Sequence, residues 1–256
     1  DRLLDQDYPG PLDVVVAVGP STDKTHAVAA AIAAANTHVR VVDNPSGRTP
    51  SGLNSAIAAT DSEIVVRIDG HAMVGPEYVR TAVETLQETG ADNVGGIMAA
   101  TGSTPFECAV ARAMTSRFGV GGASFHVGGE PGPALTVYLG CFRATALARV
   151  QGYDETMERA QDWEMNHRLR RSGGLIWFTP RMEVTYRPRS TVRTLATQYL
   201  HYGRWRREIM RQHTDTVSLR YLAPPAAVAV IGAGLLGAAV GAVMGRVVPQ
   251  NCGANL

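Results

Sequence analysis

Short apolar runs rich in β-branched residues recur through the first hundred residues, each followed by turn residues and then a helical stretch. Leu12 to Val18 ends at Gly19-Pro20 and leads into Ser21-Thr22-Asp23, the order of strand, turn and helix start. The pattern predicts a helix over Asp23 to Ala35, a strand at Val39 to Val42, a loop over Asp43 to Pro50 and a helix from about Ser51 to Ala59. Ile64 to Ile68 is a third strand, Pro76 opens a helix ending near Gly90, and Val94 to Ala99 is a fourth strand. Strands that alternate with helices imply an α/β fold, Rossmann-like, with a mostly parallel sheet and flanking helices. At 256 residues the chain can build one large domain of that kind.

Beyond Thr101 the rhythm loosens. Pro105 to Phe118 reads as helix, Gly119 to Pro133 as a Gly-rich loop, Leu135 to Leu139 as strand and Arg143 to Val150 as helix. Gln161 to Arg171 is amphipathic and stops at Gly173-Gly174, a helix-ending signal. Leu175 to Phe178 and Glu183 to Arg187 read as two short strands, and a basic helix follows from about Val192 to Gln212. The first residues, Asp1 to Pro9, resemble the tail of a helix, and no signal peptide opens the sequence. Cys108, Cys141 and Cys252 lack CxxC spacing and fit reduced thiols rather than a disulfide framework or zinc site. A net charge of +1 gives no reason to expect a nucleic-acid partner.

Leu222 to Gly245 carries no charge and is bounded by Arg220 and Arg246. That length suits a transmembrane helix. Gly237, Gly241 and Gly245 recur every fourth residue, a spacing that lets membrane helices approach closely. The alternative is a buried Ala/Gly-rich helix of a soluble protein. Arg204, Arg206, Arg207, Arg211 and Arg220 lie just upstream, and the positive-inside tendency puts that side in the cytoplasm. The expected organisation is a catalytic domain over 1–212 and a membrane anchor over 222–245, at the cell membrane with the domain facing the cytoplasm.

Asp69-Gly70-His71 closes the third strand, where ligands of open α/β sheets bind. A carboxylate and an imidazole two residues apart can reach one metal ion or one diphosphate, although Asp-Gly is also ordinary turn chemistry. Neither a G-x-G-x-x-G in the first βα turn nor a G-x-x-x-x-G-K-[ST] is present, so dinucleotide oxidoreduction and P-loop phosphotransfer lose their main support. Ser21 and Asp23 can offer polar groups at a helix start, and Arg48 in Asn44-Pro45-Ser46-Gly47-Arg48 is a cation suited to a phosphate. Asp162 falls in the first turn of the amphipathic helix, where the dipole favours its charge. It could take a proton from a sugar hydroxyl or simply cap the helix.

Five tracts occur together and in order: Ser21-Thr22-Asp23-Lys24-Thr25; Asn44-Pro45-Ser46-Gly47-Arg48 with Gly52-Leu53-Asn54; Asp69-Gly70-His71; Gly152-Tyr153-Asp154-Glu155; and Gln161-Asp162-Trp163-Glu164. The set resembles family 2 glycosyltransferases of the GT-A fold, nearest the bacterial succinoglycan-type exopolysaccharide glucosyltransferases. Tyr186-Arg187-Pro188-Arg189 and Gln198 with Tyr202-Gly203-Arg204-Trp205-Arg206 add to the narrower match. The resemblance covers about Leu3 to Arg211. It implies that Asp69 and His71 stand at the family's D-x-D element, holding Mn²⁺ or Mg²⁺ and the donor diphosphate. It also implies that Asp162 is the catalytic base of an inverting displacement and that Arg204 and Trp205 close over diphosphate and acceptor. In two places the sequence departs from the family. Ala17-Val18-Gly19-Pro20 stands where an acid usually contacts the nucleobase, and the opening strand with Pro-x-x-Asn-Glu is not found.

The function expected from this resemblance is metal-dependent, inverting transfer of a hexose from a nucleotide sugar, a UDP-sugar by presumption. The acceptor is a lipid-linked saccharide or polysaccharide of cell-envelope or exopolysaccharide synthesis. A non-catalytic sugar-nucleotide-binding or assembly subunit is the alternative. A nucleotidyltransferase shares the sheet and metal but not the distal Asp162-Trp163 pair.

Overall fold

The computed structural model describes residues 2–120, 122–216 and 223–247. They fall into two units, Asp1–Arg206 and Arg207–Leu256. The first begins with β1 (Val14–Val18), α1 (Thr25–Ala35), β2 (Val39–Asp43), α2 (Thr49–Ala58), β3 (Ile64–Val66), β4 (Met73–Val74) and α3 (Tyr78–Thr89). It continues with β5 (Asn93–Ala100), α4 (Pro105–Met114), α5 (Arg117–Val120), α6 (Ser124–Val127), β6 (Gly132–Pro133), β7 (Tyr138–Arg143), α7 (Ala144–Arg149), α8 (Gln161–Arg171) and β8 (Ile176–Tyr186). Helix α9 (Val192–Gln212) runs across the boundary between the units, and α10 (Ala223–Val247) lies in the second.

The strand–helix alternation of the first hundred residues is present, but the strands build two sheets. β1 and β2 form a parallel pair, with Val14 opposite Val39 and Val18 opposite Asp43. The second sheet runs β3-β7-β5-β8-β4, with β6 also on β8. Within it only β5 and β8 are parallel; β7 runs antiparallel to both β3 and β5, and β8 to both β4 and β6. The expectation of mostly parallel pairing therefore holds for β1–β2 and β5–β8 only; the other four pairings are antiparallel. β7 arrives through the long tract after β5 and slots in against the direction of its neighbours. It also begins later than the apolar pattern suggests, because Leu135 is exposed and the ladder residues are Tyr138 to Arg143.

The two short strands expected around residues 175–187 are one. β8 pairs Phe178 with Gly95 and then Glu183 with Ile97, so Thr179 to Met182 bulge opposite Gly96. Pro180 has no N–H to give a ladder, which is why the strand bulges there instead of pairing. Gly96 makes room: a Cβ on it would lie 1.8 Å from the Met182 carbonyl oxygen.

Alternate residues of the second sheet feed two cores, as a pleated strand requires. Cys141 joins Leu86, Ala82, Val94 and Met182 on the α3 side, while its neighbour Phe142 joins Leu147, Met165 and Phe178 on the α7–α8 side. Cys141 and the exposed Cys108 are free thiols; Cys252 lies outside the described residues. Between β1 and β3 runs an apolar cleft of about 470 Å³, with Val14, Val15, Ile64, Val66, Leu53 and Val79 in its wall. Among the described residues β1 and β3 each pair on one side only.

Residues 2–5 form a turn rather than the tail of a helix. The segment that follows is tied to α3. The Gln6 Oε1 accepts from the Val79 amide at 2.9 Å, and the Arg80 guanidinium donates to both carboxylate oxygens of Asp7. A side chain from seventy residues away thus caps α3, whose own N-cap residue Glu77 makes no capping bond. Helix α4 uses the local solution: Thr104 Oγ1 accepts from the Glu107 amide and the Glu107 carboxylate accepts from the Thr104 amide. In the second unit α10 contains a stretch, Ala223–Ala242, long and apolar enough to cross a bilayer. Its Val228, Ile231, Leu235 and Leu236 are exposed. The expected span starts one residue earlier, at Leu222, which is outside the described residues.

Gly96→Ala should destabilise the full chain by roughly 3 kcal/mol, because the Met182 carbonyl is backbone and cannot swing away. Gly70→Ala, where a Cβ meets nothing within 4 Å, should stay within about 0.5 kcal/mol of the parent. Urea unfolding in detergent compares the two; equal midpoints would contradict the register of β5 and β8.

Candidate active site

The third strand ends at Val66, the Arg67 amide still donates to the Gly140 carbonyl at 3.0 Å, and Ile68 and Asp69 lead out of the sheet into a turn. The Ala72 amide closes that turn on the Asp69 carbonyl at 2.8 Å. Asp69 and His71 therefore occupy one tight turn at the end of β3, with Asp69 half-buried and His71 exposed.

Behind Asp69 stands Arg67, whose side chain is only 4% exposed. Its Nε donates to Asp69 Oδ1 at 2.8 Å and its Nη2 to Oδ2 at 3.1 Å, a two-pronged pairing. The third nitrogen, Nη1, pairs with Asp162 Oδ1 and lies 3.5 Å from the Tyr153 hydroxyl. The guanidinium carbon sits 5.7 Å from the Tyr153 ring centre. One cation thus joins the turn after β3 to the first turn of α8. Desolvation alone would lower the pKa of Arg67, but Asp162, Tyr153 and Asp69 together hold it well above the usual arginine range. Desolvation pushes the Asp162 carboxyl above its usual value; Arg67 opposes the shift and Asp69 adds to it. The sequence placed Asp69 and Asp162 at strand and helix ends without showing that they share a partner. The sequence marks Arg67 only as a charged residue inside the apolar run Ile64-Val65-Val66-Arg67-Ile68.

A second network ties α2 to the loop before α8. The Asn54 side-chain amide pairs with both backbone groups of Tyr153, accepting from its N–H and donating to its C=O at 2.9 Å each. It also donates to Glu155 Oε1 at 3.0 Å. Gly152 has a left-handed φ of 69°, and a Cβ there would lie 2.6 Å from Asn54 Oδ1. Arg48, exposed at the start of α2, donates through Nη1 to the Glu155 carbonyl at 3.4 Å. This explains the joint occurrence of the 44–54 and 152–155 tracts: they are two sides of one hydrogen-bonded seam. Arg168 continues it from α8, donating to Glu164 and to the Val150 and Gly152 carbonyls.

Ser21 and Asp23 lie beyond the end of β1 and are occupied with each other. Asp23 accepts from the Ser21 hydroxyl at 2.6 Å and from the Thr25 amide at 2.8 Å. Helix α1 accordingly begins at Thr25, two residues later than expected, and its N-cap residue Lys24 makes no side-chain cap. Hydrogen bonds from Ser21, and then Thr25, hold the Asp23 carboxyl down at about 2. The loop meets the Arg48 tract through Gly19 and Pro20, which abut Gly47.

Arg204 is exposed and Trp205 half-buried on α9. The next residue, Arg206, stacks over Trp163 at 4.9 Å, and Trp163 lies flat against His167 with ring centres 5.3 Å apart. That stack sets the Arg204–Trp205 stretch of α9 beside the residue that follows Asp162. Gln198, at the head of the same tract, is spent elsewhere: its amide donates to the Tyr186 and Tyr202 hydroxyls and accepts from Arg189.

An acid turn at a strand end is thus joined by a buried arginine to an acid on a later helix. The Glycosyl transferase family 2 profile matches residues 1–147. The chain belongs to glycosyl transferase family 2. Among its family 2 relatives, the succinoglycan biosynthesis protein ExoA of Rhizobium meliloti (strain 1021) is 34% identical over 225 residues, covering 87% of this chain and 68% of that protein. Solved structures share the GT-A fold. The mannosyltransferase PcManGT from Pyrobaculum calidifontis, in complex with GDP-Man and Mn²⁺, aligns with a TM-score of 0.61 and 18% identity over 87% of this chain and 61% of its own. S. aureus TarS 1-349 in complex with UDP-GlcNAc aligns with a TM-score of 0.56 and 17% identity, over 74% of this chain and 54% of its own. The family 2 chain described here therefore spans between about half and two thirds of the length of these proteins.

Ser21→Ala should let the Asp23 carboxyl rise from about 2 towards 3.8, read from its side-chain ¹³C shift on acid titration. Because the folded value is depressed, the pairing stabilises the fold above pH 3.8 and stops doing so as pH falls through about 2. An unchanged titration would show that Ser21 does not hold this acid.

Proposed function

We propose that the protein is a metal-dependent, inverting glycosyltransferase that moves a hexose from a nucleotide sugar to a lipid-linked saccharide or polysaccharide at a membrane. The observation that carries this reading is the pairing of Asp69 and Asp162 through one buried guanidinium, which puts a metal-type acid and a base-type acid at one site.

Asp69 and His71 suit a divalent cation. Arg67 gives each Asp69 oxygen a single hydrogen bond, and a carboxylate oxygen has two lone pairs, so both oxygens keep one for a ligand. An oxygen and an imidazole donor from one turn, completed by phosphate oxygens, fit Mn²⁺ or Mg²⁺, with the imidazole favouring Mn²⁺. Such an ion neutralises charge on the departing nucleoside diphosphate. Arg48 and Arg204 are cations for the same diphosphate, and Trp205 covers it. Asp162, its affinity for protons raised by desolvation, takes the proton of the acceptor hydroxyl as that oxygen attacks the anomeric carbon. Trp163, stacked on His167 with the Arg206 guanidinium over its ring, stands beside Asp162.

Support for the substrates comes from relatives: one protein named for succinoglycan biosynthesis, and structures solved with GDP-Man and with UDP-GlcNAc. Both uridine and guanosine donors belong in the assay, because Val18 stands where the family usually has its base-contacting acid and is buried. That same departure motivates the second reading, a subunit that binds a sugar nucleotide without turning it over. The transferase domain is assigned to residues 1–212. Helix α10 is assigned as a membrane span, with the arginines from Arg204 to Arg220 on its cytoplasmic side.

With a panel of UDP- and GDP-sugars, Mn²⁺ and a lipid-linked acceptor, Asp69→Ala and Asp162→Asn should each lower transfer by about 10²–10⁴-fold. EDTA should abolish transfer and added Mn²⁺ restore it. Undiminished transfer by either variant would refute the assigned roles, and calorimetric binding of the nucleoside diphosphate without turnover would establish the second reading. Truncation before Ala223 should move the protein from the membrane pellet to the supernatant on fractionation; retention in the pellet would contradict the anchor.

A further inference from the structure

We infer that Arg67 is a positioning residue for the transfer reaction: its guanidinium sets the spacing between Asp69 and Asp162, and therefore between the donor phosphates and the acceptor hydroxyl. The inference rests on the proposed glycosyl transfer.

Position 67 continues the run Ile64-Val65-Val66 and precedes Ile68, at the edge of an apolar cleft, where an aliphatic residue would be the inexpensive choice. A buried ion pair is often no more stable than well-packed apolar residues of similar size, so the cation brings the fold little net stability. What it adds is geometry. The Nε–Nη2 edge faces both oxygens of Asp69, and Nη1 faces Asp162 and the Tyr153 hydroxyl. A planar group with two donor edges fixes the direction as well as the distance of two acids; an ammonium ion cannot. The Tyr153 ring lies against the guanidinium and is itself fixed by Asn54, which holds both backbone groups of residue 153. The spacer thus has a rigid support that does not depend on substrate.

The charges agree with that role. One buried cation faces two carboxylates, so the cluster keeps one unit of negative charge, which favours a cation beside it. Each acid also retains an open side, Asp69 being 22% and Asp162 30% exposed while Arg67 is 4% exposed. Arg67 is thus behind the two acids, away from the reacting atoms, and acts through them.

The test uses the full chain in detergent with Mn²⁺ and the donor and acceptor that the wild type accepts. Arg67→Lys and Arg67→Gln are compared with Asp162→Asn and with the double variant Arg67→Gln/Asp162→Asn, each with its melting temperature. A displacement of about 1 Å in a reacting group can cost about 10²-fold in rate, so kcat should fall by that order in both single Arg67 variants. The donor KM should stay within about threefold of wild type, as expected when transition-state geometry rather than ground-state binding is lost. The double variant should lose less than the product of its two parents' losses, because Arg67 works in part through Asp162. Wild-type kcat in Arg67→Lys, or losses that multiply in the double variant, would overturn the inference while leaving glycosyl transfer intact. Failure of both Arg67 variants to fold would make Arg67 structural and overturn it as well. Absence of transfer by the wild type with every donor would overturn the functional reading, and this inference with it.

Discussion

A single buried guanidinium sets the terms for the rest of the molecule. Left unpaired it would cost several kcal/mol, so the chain has to bring carboxylates to it from wherever they lie. Asp69 comes from two residues away and Asp162 from 95 residues away. To satisfy that demand β3 must end at Val66, α8 must begin beside it, and the loop before α8 must hold Tyr153 against the cation. The second sheet supplies the frame. Its two faces are buried by α3 on one side and by α7 and α8 on the other, so the element that brings Asp162 is itself anchored in the core through Met165 and Leu169.

Where the signals are local, the sequence is a good guide. Helices α8 and α9 have the limits that apolar periodicity predicts, and the βα units of the first hundred residues occur in their expected order. Where partners are distant in the chain, pattern reading fails. Nothing in Tyr138 to Arg143 says that this strand enters between β3 and β5 in the opposite sense. Nothing around Pro180 says that a bulge, rather than a break, separates two apolar stretches. Gln6 looks like part of a terminal helix until α3 is seen to need a cap.

The site divides along the same line. Asp69, His71 and Asp162 are legible because carboxylates and imidazoles at strand and helix ends are few. Their common partner is not, because an arginine in a sequence is ordinarily read as a surface residue. Ser21 and Asp23 can serve a polar ligand or the helix start, and in the fold the hydroxyl, the carboxylate and the Thr25 amide satisfy one another. Gln198, part of the tract that supports the family resemblance, is engaged with Tyr186, Tyr202 and Arg189. Polar side chains find near neighbours first, and composition does not reveal which have done so.

The seam between Asn54 and Gly152 also bears on how such a sequence can vary. The amide of Asn54 fills the volume that a side chain at 152 would need, and it serves as backbone partner to residue 153 at the same time. Neither position can drift alone. A residue larger than glycine at 152 would need both a smaller 54 and a left-handed backbone that other residues rarely adopt, and a smaller 54 strands the amide and carbonyl of Tyr153. The two sites, almost a hundred residues apart, are therefore epistatic: substitutions there have effects that do not sum, and the pair passes through sequence change as a unit.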